Sequence, residues 1–319
     1  MNERKEQQRE KRELFLHGFN IAVENTSGNS PLLCAFLGPP GTYTEQAASE
    51  LLENQVDLRS LTRITDVIRF VDNGKLDIGL VPIENSTEGN VMETIRGTIR
   101  SSLMILGEKI LPIHHVLFGD ETALSKAIVH SHPQAIGQCT NWLEQNLPGA
   151  KITAHNSTAE AVQIAAEREE LAIGSSVAGK LYNIQTLKEG IEDFQGNTTR
   201  FWLLGRGKTN PTDKDRTTIL FSLRNRIGLL RNSLAIFADR RINITKIDSF
   251  PIGALDEYYF LLSLDGHQDE PLITEALEEF RKTCLRARVL GSYHKALIPQ
   301  KFFEPNAIIN GWIIPEDTI

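Results

Sequence analysis

Short apolar runs recur along the 319-residue chain, each closed by a polar, glycine-bearing loop and followed by an amphipathic stripe. That alternation constrains the fold more than any other feature, because strands followed by helices imply α/β layers with largely parallel pairing. Leu32-Leu33-Cys34-Ala35-Phe36-Leu37 reads as a buried strand ending in Gly38-Pro39-Pro40-Gly41. Thr42-Tyr43-Thr44-Glu45 then has capping-box spacing ahead of a stripe of Ala47, Ala48, Leu51 and Leu52. A helix near 65–73 leads into a strand over Asp77–Pro82, closed by Ile83-Glu84-Asn85-Ser86-Thr87-Glu88-Gly89-Asn90, with a further helix from about Val91. About 95 residues on the order repeats weakly: Ser157-Thr158-Ala159-Glu160 caps a helix running into Leu171-Ala172-Ile173-Gly174.

These patterns predict two α/β lobes with a cleft between them. Lobe one spans about 32–111 with a return over 188–207, and lobe two about 112–187. The polar stretch 209–216 reads as a linker. Beyond it come a strand over 217–224, a helix near 229–240, strands near 243–250 and 257–265, a helix over 271–284 and a strand over 287–293. That is the βαββαβ order of a ferredoxin-like domain, bounded at 217–296. Residues 1–30 read as a solvated lead and 297–319 as a tail broken by prolines.

Charge and composition remove several function classes. A formal net charge of −7 argues against a partner held by phosphate contacts, so no nucleic acid is expected. No apolar run approaches the length of a membrane span, and the mixed-charge start fits neither a secretory signal nor a transit peptide. The expectation is a cytoplasmic protein with no membrane partner. Three widely spaced cysteines offer neither a disulfide framework nor zinc spacing, and His114-His115 and His130-Ser131-His132 lack completing ligands, so no metal is expected.

Four polar loops have the character of anion sites: Gly41–Thr44, Asn85–Asn90, Asn156–Thr158 and Gly196–Arg200. Three precede helices, whose first turns present free N–H groups and a partial positive charge. In the fourth, Asn197-Thr198-Thr199-Arg200-Phe201 sets hydroxyls beside a guanidinium fork suited to a carboxylate. Glu84 is a candidate acid if desolvated, although a structural carboxylate is the commoner reading at a strand end.

Taken together, these segments resemble the prephenate dehydratase family. Gly38-Pro39-Pro40-Gly41-Thr42-Tyr43-Thr44 is similar to its opening motif, and Val81-Pro82-Ile83-Glu84-Asn85-Ser86 with Gly89 to its second. Ser131-His132-Pro133-Gln134-Ala135 with Gln138-Cys139, then Ser157-Thr158-Ala159, then Asn197, Thr199, Arg200 and Phe201 complete the set over about 32–295. The resemblance implies a two-lobed, periplasmic-binding-protein-like catalytic domain over 31–208, followed by an ACT regulatory domain. It implies decarboxylative dehydration of prephenate to phenylpyruvate without a cofactor, with arogenate, the amino counterpart, as the alternative substrate. A non-catalytic amino-acid sensor is the reading from another class, and the intact Thr199-Arg200-Phe201 argues against it. Thr199 is the expected catalytic residue, as donor to the leaving hydroxyl. Arg200, Thr42, Asn85, Ser86, Gly89, Thr158, Asn197 and Phe201 are the expected substrate contacts, with Arg200 on the pyruvyl carboxylate. The ACT resemblance implies an amino-acid effector, L-phenylalanine first, held by Gly228, Leu229, Leu230, Asp248, Ser249 and Pro251. Phe250 stands where the family's effector motif carries arginine. A homodimer or homotetramer follows from the way ACT modules pair. Some family members carry an N-terminal chorismate mutase domain, for which about 30 residues are too few.

Overall fold

The computed structural model describes residues 32–53, 56–251 and 258–297. The expectations for 1–30 and for most of the tail lie outside these residues. The described chain falls into two units: 32–84, 90–109 and 200–296 form the first, and 85–89 with 110–199 the second. No helix among the described residues is long and apolar enough to cross a membrane.

The first elements are β1 (Leu33–Leu37), α1 (Tyr43–Leu52), β2 (Asp57–Leu61), α2 (Ile64–Asp72), β3 (Ile78–Asn85), β4 (Gly89–Asn90), α3 (Met92–Arg100) and β5 (Met104–Pro112). Thr42 caps α1 as expected, its Oγ1 accepting from Glu45 N at 3.4 Å, while the Glu45 carboxylate reaches one residue beyond the cap and accepts from Gly41 N at 2.5 Å. Next come β6 (Val116–Phe118), α4 (Glu121–Lys126), β7 (Ile128–Ser131), α5 (Pro133–Gly137), α6 (Thr140–Asn146), β8 (Lys151–Ala154), α7 (Thr158–Arg168), β9 (Leu171–Gly174), α8 (Ser176–Leu181) and β10 (Thr186–Glu189). After β11 (Thr198–Gly205), the chain forms β12 (Asp215–Ser222), α9 (Leu229–Asp239), β13 (Ile244–Pro251), β14 (Tyr258–Asp265), α10 (Pro271–Thr283) and β15 (Arg286–His294).

The first sheet has the order β2-β1-β3-β11-β5, with β4 pairing β3. Its β2-β1-β3 part is parallel, as alternation of strand and helix predicts. The second sheet, β10-β6-β9-β7-β8, corrects the expectation of largely parallel pairing, since β6 runs antiparallel to both neighbours. A second correction concerns the return to lobe one. It falls at Arg200 rather than 188, because β10 pairs β6 and Ile191 is buried in the second unit's core.

The C-terminal sheet has the order β13-β14-β12-β15, all antiparallel, which is the ferredoxin-like arrangement expected. Its helical face closes over Phe221, Phe237 and Phe280. Its other face shares a core with the first sheet: Val81, Ile83, Trp202 and Leu204 pack in one cluster with Leu220, Phe250, Leu261 and Tyr293. Gly291 permits this approach, since a Cβ there would stand 2.3 Å from Ile105 O. Arg288 fastens the same edge by donating to Ser101 O at 2.7 Å and Leu103 O at 2.9 Å. The stretch read as a linker is therefore fixed. Thr209 is buried with its hydroxyl on Ser292 O, and Asp215 already belongs to β12.

Candidate active site

Strand β3 leaves the first sheet at Asn85, and the next residues turn on that side chain. Asn85 Oδ1 accepts from Thr87 N at 3.0 Å, Thr87 Oγ1 at 2.6 Å and Glu88 N at 3.1 Å. An Asx-type turn of this kind commits the amide oxygen and leaves the NH2 group to point the other way. It donates to Thr199 Oγ1 at 2.9 Å and to Asn197 Oδ1 at 2.8 Å. Ser86 N donates to Thr198 O at 2.9 Å and Ser86 Oγ accepts from Thr198 N at 3.0 Å, so this loop and the start of β11 are pinned together.

The row continues into the second unit's interior. Asn197 Nδ2 donates to Gln138 Oε1 at 2.9 Å, and His115 Nε2 lies 2.7 Å from the same oxygen. Burial holds the His115 imidazole below its usual pKa, despite the opposing pull of Gln138 and Glu192. The ring is therefore neutral, and because Gln138 Oε1 can only accept, its proton sits on Nε2. That choice orients every amide in the row: His115 and Asn197 donate to Gln138, and Asn85 donates to Asn197 and Thr199. Glu192 closes the far end, accepting from His115 N at 2.9 Å and pairing with His114 Nδ1 at 2.8 Å. Burial opposes its charge, but these two bonds keep its pKa below the ordinary carboxylate value.

The chemical consequence falls on Thr199, which is 9% exposed. Its oxygen already accepts from Asn85, so its own O–H is left to donate elsewhere. Amide links do not pass protons readily at neutral pH, so the row orients this hydroxyl rather than supplying it with a proton.

Of the expected contacts, the structure gathers Asn85, Ser86, Asn197 and Thr199 into this one network. Thr158 lies in the second unit at the first turn of α7, behind the Ser157 cap, which accepts from Glu160 N at 3.0 Å. Gly89 has φ +81°, a conformation that favours glycine, and faces open space. Thr42 caps α1 in the first unit.

Two expected contacts, Phe201 and Arg200, lie outside this network. Phe201 is 1% exposed and is a core side chain. Arg200 follows Thr199 on β11, and successive strand residues point to opposite faces, so the two side chains diverge. The Arg200 guanidinium is already committed, with Nη1 on Glu108 at 2.6 Å and Nε 3.5 Å from Glu84. Although burial opposes its charge, Glu108 raises its pKa further. Glu108, with a fully buried carboxylate, also pairs with Arg216 at 2.7 Å and accepts from Ala296 N at 3.1 Å. Glu84 itself is a structural carboxylate, held between Arg200 and Lys246.

Sequence reasoning assigns no role to Gln138 or His115, and weighs His114-His115 only as a metal pair. Among the described residues no group of histidines, cysteines and carboxylates is arranged to hold a metal. His130 instead contacts His155 at 2.8 Å and Glu170 at 2.5 Å. In the C-terminal domain Gly228 has φ +78° at the start of α9, Leu229 and Leu230 begin that helix, and Ser249 and Pro251 are exposed on β13. Asp248 points the other way, toward Lys246 at 3.1 Å, and Phe250 is buried in the shared core.

Comparison with known proteins bears on the family and the fold. The prephenate dehydratase family model matches residues 34–209, more than half of the chain, and the ACT domain model matches 217–282. A bifunctional chorismate mutase/prephenate dehydratase of Pseudomonas aeruginosa is 37% identical over 84% of this chain and 74% of its own length. The crystal structure of a prephenate dehydratase from Arthrobacter aurescens in complex with L-Phe is 29% identical, with TM-score 0.75 over 85% of this chain and 94% of that one. A structure described as GqqA, a novel type of quorum quenching acylase, has 27% identity and TM-score 0.75 over 83% of this chain and 98% of that one. With the prephenate dehydratase model over 34–209, the ACT model over 217–282 and a relative 37% identical over most of the chain, the chain belongs to the prephenate dehydratase family.

Proposed function

We propose that the protein converts prephenate to phenylpyruvate, water and carbon dioxide, with Thr199 donating a hydrogen bond to the departing hydroxyl. The observation that carries the assignment of Thr199 is the 2.9 Å bond from Asn85 Nδ2 to Thr199 Oγ1, which leaves the threonine proton free for a ligand. Prephenate is a dianion whose ring becomes aromatic when its carboxylate and 4-hydroxyl leave together. Aromatisation drives the reaction, and the protein's task is to orient the ring and assist the leaving oxygen. Positioned proton donation of this kind is worth about 10²- to 10⁴-fold. A threonine is a weak acid, so the role is a hydrogen bond that strengthens as negative charge grows on the oxygen, which is differential stabilisation of the transition state. The departing carboxylate disperses its charge, which a drier site favours. Arg200 is occupied by Glu108, so carboxylate binding falls to neutral donors of the second unit, Ser86 and the first turn of α7 at Thr158.

The ferredoxin-like domain is read as an amino-acid sensor, with L-phenylalanine as the effector, supported by the L-Phe complex of the Arthrobacter relative. A homo-oligomer is supported by Ile247 and Tyr258, apolar and 43% and 45% exposed on β13 and β14. The functional test is turnover of prephenate and then arogenate by the purified protein and by Thr199→Ala. Thr199→Ala should lower kcat about 10²-fold or more with KM little changed. An unchanged kcat sinks the role of Thr199. Acylase activity without turnover of either cyclohexadiene sinks the dehydratase reading.

A further inference from the structure

The ion pairs that occupy Arg200 continue, with alternating sign, into the segment expected to hold the effector. Arg216 and Arg200 share Glu108; Arg200 reaches Glu84 at 3.5 Å; Glu84 pairs with Lys246 at 2.8 Å; Lys246 meets Asp248 at 3.1 Å. Lys246 also donates to Asn90 Oδ1 at 3.0 Å, so one ammonium joins β4, β3 and β13. The last link is the weak one. Asp248 Oδ2 is buried and makes no directed hydrogen bond, only this charge contact. A buried oxygen left with one poorly aligned partner is costly, and an ammonium arriving with good geometry would take it. Beside the row lies a cavity of about 200 Å³ lined by Glu84, Glu108, Arg200, Arg216 and Lys246. It gives these side chains room for a second pairing, and transmission through packed charges requires two discrete arrangements.

We propose that Lys246 couples amino-acid binding at residues 248–251 to the strand that carries Thr199. The inference rests on the reading of the ferredoxin-like domain as an amino-acid sensor. The α-ammonium of the amino acid, reaching past the open edge of β13 to the inward side of the strand, takes Asp248 Oδ2, and Lys246 is left to the Glu84 carboxylate it already contacts. Glu84 then loosens its hold on Arg200, the residue directly after Thr199. Lys246 is thus a positioning residue that acts through Glu84 and Arg200. Phe250, buried beside it, anchors β13 so that a change at Asp248 moves side chains rather than the strand.

The test uses the full chain, with L-phenylalanine as the probe, and compares wild type, Lys246→Met, Lys246→Arg and Glu84→Gln. Calorimetry measures binding, and kinetics measure the change in kcat/KM that saturating phenylalanine causes. Lys246→Met should still bind phenylalanine, while the change in kcat/KM that phenylalanine causes, taken relative to the variant's own rate without effector, falls about fivefold or more. Lys246→Arg should restore most of that response. Glu84→Gln, which keeps shape but removes the charge between Lys246 and Arg200, should lose it too. Wild-type binding and response with both Lys246→Met and Glu84→Gln responding normally overturns the coupling alone. Absence of amino-acid binding to the wild type overturns the sensor reading, and the coupling with it.

Discussion

Replacing Asn85 by aspartate changes one NH2 group to an oxygen and nothing else in size. In the wild type that NH2 group donates to Thr199 Oγ1 at 2.9 Å, Asn197 Oδ1 at 2.8 Å and, at longer range, Thr198 O at 3.3 Å. A carboxylate there presents an acceptor to three acceptors. Thr199 alone can respond, by turning its hydroxyl proton onto the new carboxylate oxygen, away from the substrate. The turn is retained, because the other carboxylate oxygen keeps the Thr87 and Glu88 donors. Loss of the positioned donor should lower kcat by about 10²-fold or more, or at least about 3 kcal/mol of barrier. Unsatisfied oxygens should lower stability by about 1–3 kcal/mol. Steady-state kinetics with prephenate and a urea unfolding curve read the two effects separately. Two further results are specific to the mechanism. Adding Asn85→Asp to Thr199→Ala should cost little more in kcat, because both remove the same donated proton. Activity of Asn85→Asp should also rise as pH falls and the new carboxyl protonates, since a protonated acid can again donate to Thr199. A kcat within about threefold of wild type, or losses that add in the double variant, would overturn the orientation of Thr199 by Asn85.

Glu108→Gln should destabilise the protein by about 3 kcal/mol, because two arginines then lose the fully buried carboxylate between them; a urea-derived loss under about 1 kcal/mol counts against it. His115 has a folded pKa below its unfolded value of about 6.5, so the unfolded chain binds the extra proton and stability falls as pH drops below 6.5. Glu192, also lowered, adds a loss of the same sign below 4.5. Thermal midpoints of wild type and His115→Gln between pH 7.5 and 5 should therefore diverge less as pH falls, and parallel curves would exclude His115 as a titrating contributor.

Strands, helices and the ferredoxin-like order are legible in the chain because they depend on local periodicity and caps. The Thr42 and Ser157 caps are each written in four adjacent residues, and the βαββαβ pattern is a succession of such local signals. Thr199 and its neighbours Asn85, Ser86 and Asn197 are also legible, as polar residues gathered at strand ends. Pairing direction is not. The antiparallel β6 depends on which strands meet across some 55 residues, which no local signal encodes.

The elements, the family and the polar loops proposed as the site can thus be read along the chain, since each is written in local signals. What each polar group does emerges only from folding. Arg200 looks like a free fork for a carboxylate, yet a buried Glu108, distant in sequence, claims it, since a buried charge must be paired. His115 is weighed only for metal and Gln138 stands only as part of a motif, yet they set the direction of hydrogen bonds ending on Thr199. Whether a hydroxyl donates or accepts depends on partners brought together by the fold, and residues 85 and 199 are neighbours only in space.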